Sequence, residues 1–150
     1  MATIKQITGT RTSLAYTGLA TLASATYVQN TTAYDNTTNR PLDVIVEVDI
    51  ATTNTPTGNK QAVVFVRDSL DNTNFRSGPI SGTTTTDEPN LKFLGTVPMN
   101  SITTTQIGLF SIAQALGYVP RNFFIVIKND LGVALTSGTV FTSEISSTVL

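Results

Sequence analysis

Histidine, cysteine and tryptophan are absent from the 150 residues, and only 13 % of the residues are charged. Without histidine or cysteine there are no His/Cys zinc sites, no Ser-His-Asp or Cys-His nucleophile systems, no iron–sulfur ligation, no disulfides and no thiol redox chemistry. Long apolar runs are missing too. The longest, Ala62 to Val66 and Phe123 to Ile127, fall far below the roughly 18 residues a membrane-spanning helix needs. The nine cations, Lys5, Arg11, Arg40, Lys60, Arg67, Arg76, Lys92, Arg121 and Lys128, are scattered singly in a chain of net charge −1. That leaves no basic footprint for a phosphate backbone or an anionic bilayer, so neither nucleic acid nor membrane is expected as a partner.

Hydroxyl and amide side chains are abundant instead: 28 Thr, 11 Ser and 11 Asn make up a third of the chain. The length suits one domain, and 40 % hydrophobic residues supply a core. Lys5 and Arg11 precede a mildly apolar stretch, Leu14 to Ala25, ending Ala23-Ser24-Ala25, which has the outline of a secretion signal. Thr17, Gly18 and Thr21 interrupt it, so a retained segment is expected.

Period-two alternation is the main structural signal. In Leu42 to Ile50, the residues Leu42, Val44, Val46, Val48 and Ile50 alternate with Asp43, Ile45, Glu47 and Asp49, which predicts a half-buried strand with a mostly wet outer face. Gln61 to Arg67 and Asn122 to Lys128 are apolar on both faces, as in strands covered on both sides, so another layer or another subunit is expected to seal them. Thr3 to Ile7, Ala25 to Gln29, Thr73 to Arg76, Leu91 to Val97, Gln106 to Ile112 and Gly138 to Ile145 are further candidate strands between turn-forming segments. Ile112 to Leu116 invites one helical turn, with Gly117 as its C-cap. The prediction is an all-β, antiparallel sandwich of about eight strands, jelly-roll type, with at most a short helical turn near residues 112–117. Residues 1–20 are expected to form an N-terminal arm or first strand, and 21–150 a single β-sandwich domain.

Few residues offer chemistry. Glu47 and Asp49 lie on one strand face with carboxylates about 6 to 7 Å apart, at the lower edge of the spacing in inverting glycosidases. A solvated strand face explains them equally and is favoured. Asp68, Asp71, Asn72 and Asn74 share one loop, and Asp87, Glu88 and Asn90 another; neither has the spacing of a calcium loop, so Asx turns are favoured. Asn30-Thr31-Thr32 and Asn36-Thr37-Thr38 match the N-glycosylation acceptor pattern, but a chain this rich in Thr and Ser yields about three such matches by chance. Tyr16, Tyr27, Tyr34 and Tyr118 show no local clustering, so packing is favoured over sugar stacking. The Thr-rich stretches 83–86 and 103–105 read as mobile loops in a monomer, or as strands added across a subunit boundary in an assembly. No residue is assigned a catalytic, cofactor-binding or metal-ligating role, and no enzymatic activity is expected.

Several segments carry a likeness: Leu22 to Gln29, Tyr34 to Asn39, Leu42-Asp43-Val44, Pro56 to Lys60, Asp71 to Phe75, Leu91 to Pro98, Gly117 to Pro120 and Ile127 to Leu135. Over about residues 20 to 135 the chain resembles small structural proteins in the particles of tailed bacteriophages. The resemblance implies a jelly-roll decoration (cement) protein outside an icosahedral capsid. Such a protein would be a homo-oligomer, with a trimer favoured, and its partner would be the major capsid protein. It would sit on the virion surface and brace the shell. The alternative is a carbohydrate-binding or receptor-binding β-sandwich module of a fibre or tail tip.

Overall fold

The computed structural model describes residues 3–100 and 104–149. Among them are eleven strands: β1 (Ile4–Thr8), β2 (Thr12–Leu14), β3 (Tyr27–Gln29), β4 (Tyr34–Asp35), β5 (Asp43–Ala51), β6 (Gln61–Ser69), β7 (Ser81–Gly82), β8 (Lys92–Pro98), β9 (Gln106–Ser111), β10 (Asn122–Asp130) and β11 (Ser137–Val149). They form two antiparallel sheets. The front sheet runs β1-β11-β5-β9, with β2 also on β11; the back sheet runs β7-β3-β10-β6-β8, with β4 also on β10.

β1 and β2 are one strand interrupted at Gly9-Thr10-Arg11, because both pair with β11 in succession. β3 and β4 are likewise consecutive pieces along β10. Counted so, with β7 as an extra edge, the first strand pairs with the eighth, the second with the seventh, the third with the sixth and the fourth with the fifth. The pairs alternate between sheets. This is a jelly roll, as the alternation and turn chemistry predict.

The inward faces interlock as the period of two requires. Val44, Val46, Val48 and Ile50 of β5 meet Ala62, Val64 and Val66 of β6 and Phe123, Ile125 and Ile127 of β10, all essentially buried. Leu19 and Leu22, from the 14–25 stretch, fill the same core. The helical turn α1 (Ile112–Leu116) follows β9. Ser111 Oγ accepts from the Gln114 N–H, and Gly117 closes the turn at φ 83°, a conformation that favours glycine.

Three expectations are corrected. Leu42 does not extend the buried row: β5 begins at Asp43, and Leu42 is 60 % exposed at the strand mouth. Thr73 to Arg76 is a loop with one isolated bridge, Ser69 to Phe75, because Phe75 packs its ring on Phe124, 4.8 Å between centroids, instead of joining a ladder. The outer face of β5 is half-buried rather than wet, for a reason the site geometry supplies. Within the Thr-rich stretch 103–105, Thr103 lies outside the described residues.

The two-faced apolar strands find their cover within the chain. Phe65 and Val63 of β6, Val126 of β10, Tyr27 of β3 and Leu91 form a second apolar cluster. The 70–91 excursion lies over this outer back face. Glu88 accepts from Lys128 Nζ at 2.7 Å and from the Tyr27 hydroxyl, pinning the short turn Glu88–Asn90 to the sheet. Arg76 pins the excursion's start through Asp68 at 2.6 Å.

Candidate functional site

The outer face of the front sheet has no such cover. Cross-strand register sets Thr139, Asp49 and Ile107 in one row, Phe141, Glu47 and Leu109 in the next, and Ser143, Ile45 and Ser111 in a third. Ile107 and Leu109 remain 61 % and 65 % exposed on the edge strand β9.

One residue from far away in the chain organises this face. Arg11, in the interruption between β1 and β2, lies over the Phe141 ring at 3.2 Å from its centroid. Its guanidinium donates through Nε to Glu47 at 2.9 Å, through Nη2 to Glu47, and through Nη2 to Asp49 at 3.1 Å. The interruption is held in place by the Gly9 N–H donating to the Glu144 carbonyl and by Ser143 Oγ donating to the Gly9 carbonyl, each at 2.7 Å. A shallow cavity of about 320 Å³ opens beside the cluster between Arg11, Ile45, Leu109 and Phe141.

The charges follow from these contacts. Hydrogen bonding from Arg11 holds the Glu47 carboxyl below its ordinary range, while burial, followed by the Glu47 charge, pushes Asp49 up. A depressed and a raised carboxyl side by side is the pattern of an acid/base pair. Here, however, the guanidinium occupies the space between them where a substrate atom would have to sit. The Glu47–Asp49 pair is therefore a clamp for Arg11, which also explains the half-burial of β5's outer residues.

The remaining candidates are tied into the scaffold. Asp71 accepts from the Thr73 and Asn74 N–H groups at 2.9 and 2.8 Å and from the Asn74 amide at 2.7 Å. Those bonds, led by the Asn74 N–H, pull its pKa far down. Asp68 is opposed by burial but held ionised by Arg76 and the Tyr118 hydroxyl. Among the described residues no group of three or more carboxylates is placed to hold a metal ion.

Asn30 is buried, its side-chain oxygen accepting from the Ile125 N–H at 2.7 Å, and Asn36 is also buried, so neither glycosylation pattern presents an accessible amide. The tyrosines are not brought together. Tyr16 donates to the Ile125 carbonyl at 2.9 Å, Tyr27 reaches Glu88, Tyr34 stacks on Phe123 at 4.7 Å, and Tyr118 reaches Asp68. A larger depression, about 680 Å³, lies at one end of the sandwich beside Arg40, Leu42 and Arg121 and is lined by no carboxylate.

Sequence reasoning missed Arg11 and Phe141, the two residues that build the front-face cluster. A lone arginine before a strand carries no spacing signal, and its partners are more than 30 positions away. Compared with known proteins, the chain matches no family model and no curated sequence.

Proposed function

We propose that the chain is a non-enzymatic structural protein of a tailed bacteriophage particle, a capsid decoration (cement) protein that oligomerises on the head and braces it. The observation that carries this reading is the contrast in the front face. Its two carboxylates are both engaged by Arg11, while Ile107 and Leu109 stand bare beside them. Such a face suits contact with protein rather than turnover of a small molecule. The jelly-roll order and the sequence resemblance supply the particle context.

The mechanism follows from mass action. A protein that binds the assembled lattice, and not its separated subunits, stabilises the lattice by an amount that grows with the logarithm of its free concentration over its dissociation constant. Contacts spanning neighbouring copies of the major capsid protein also resist their separation. The test is to add purified chain to undecorated capsids of the encoding phage. Co-sedimentation and a raised thermal disruption temperature are expected, and absence of binding would remove the reading.

A further inference from the structure

The open edges of the two sheets are not equivalent. On the back sheet, β8 carries Lys92 and Pro98 and a register shift opposite Val64/Phe65, devices that spoil pairing with a further strand. On the other edges, β7 has only two residues, β1 carries Lys5, and Arg11 lies immediately before the three-residue β2. The edge strand β9, Gln106-Ile107-Gly108-Leu109-Phe110-Ser111, has no charge, no proline and no bulge over six residues. Among the described residues its one ladder is with β5, so the amides and carbonyls of alternate residues point away from the sheet.

We propose that β9 is a self-pairing edge: two copies of this chain join antiparallel through β9 about a two-fold axis and extend the front sheet across both molecules. Self-complementarity selects a second copy as the occupant. In an isologous contact residue i meets residue j and j meets i, so the strand has to match its own reversed sequence. This strand carries no charge that such a pairing would set against an apolar side chain. Centring the pair on Gly108 sets Ile107 against Leu109 of the second copy, and Leu109 against its Ile107, so four apolar side chains close over one another on the outer face. Gly108 faces inward, where an added Cβ would fall 2.7 Å from Val97 and 2.8 Å from the Phe110 ring, so it adds nothing to the outer face.

A six-residue edge is a small interface, so association in free solution is expected in the micromolar range. If the chain decorates a capsid, as proposed above, the lattice supplies the local concentration that makes the pair permanent. A three-fold contact of the kind the resemblance implies then falls to other surfaces.

The experiment is sedimentation equilibrium of the full chain from about 1 to about 200 µM, a range that brackets micromolar affinity. Leu109→Lys is compared with Leu70→Lys, a control at another exposed leucine far from β9 in sequence. Hydrogen exchange of β9 amides is followed in parallel. A monomer–dimer equilibrium is expected, weakened at least tenfold by Leu109→Lys and unchanged by Leu70→Lys, with β9 amides slowing as dimer forms. A wild-type chain that stays monomeric overturns the proposal. So does an oligomer that Leu109→Lys leaves intact, or a dimer in which β9 amides gain no protection. Capsid co-sedimentation of the same proteins separates the two readings: binding without β9 pairing removes only this inference, whereas pairing without binding removes only the decoration role.

Discussion

The two outer faces of the sandwich both carry apolar side chains and treat them differently. Behind, Phe65, Val126 and Tyr27 are buried because the chain spends residues 70–91 covering them and locks the cover with Lys128–Glu88 and Arg76–Asp68. In front, Phe141 lies under Arg11, and Ile107 and Leu109 remain mostly exposed. A face covered by its own chain, with Phe93 left 59 % exposed at its edge, contributes to stability. A face that leaves Ile107 and Leu109 bare is available to a partner, and on the reading proposed above that difference makes the front the working side.

The largest expected effect tests the sealed face. Phe65→Ala empties a buried site under the excursion and should cost about 3 to 5 kcal/mol in denaturant unfolding. Leu109→Ala on the open face should stay within about 0.5 kcal/mol. Equal losses would erase the contrast. Next, Glu88→Ala releases the excursion from Lys128 and Tyr27 and should cost about 1 to 2 kcal/mol. Amide exchange should accelerate over 70–91 and not in the front sheet.

Arg11→Ala should cost less than Glu88→Ala, because Arg11's side chain is half-exposed, and the loss should shrink as salt is added. Its clearer signature is titration: without the guanidinium, the carboxyl of Glu47 should return toward its ordinary range, measurable by NMR.

The smallest effect concerns pH. Asp71 has a folded pKa below its unfolded one, so the stability it contributes is present above the ordinary carboxylate range and lost as pH falls through the folded value. Asp49 has the opposite sign: its raised pKa gives a contribution present below the unfolded value and lost as pH rises through the folded one. Asp71→Asn should therefore flatten the acid limb of the stability profile, and Asp49→Asn should steepen it.

The sandwich itself was legible because β5 carries its burial in its side-chain period and β6 and β10 are apolar on both faces. The apolar outer positions of β6 and β10 correctly announced a second cover. The source of that cover was not legible. Residues 70–91 are polar and turn-rich, and only Phe75 and Leu91 hint at a docked loop. Thr73 to Arg76 was misread as a strand because an aromatic with β propensity looks alike in a ladder and in a plug. β2, β4 and β7, with two or three residues each, are too short to show any period. At the site, Glu47 and Asp49 were visible as a pair, but their role depends on Arg11, which only the fold brings near.

The most direct test of the open front face compares hydrogen exchange of the chain free in solution and bound to capsids. The expected result is new protection in β9 and in the 9–12 segment carrying Arg11, with residues 70–91 unchanged. Protection confined to 70–91, with the front sheet exchanging as in the free chain, would contradict the account.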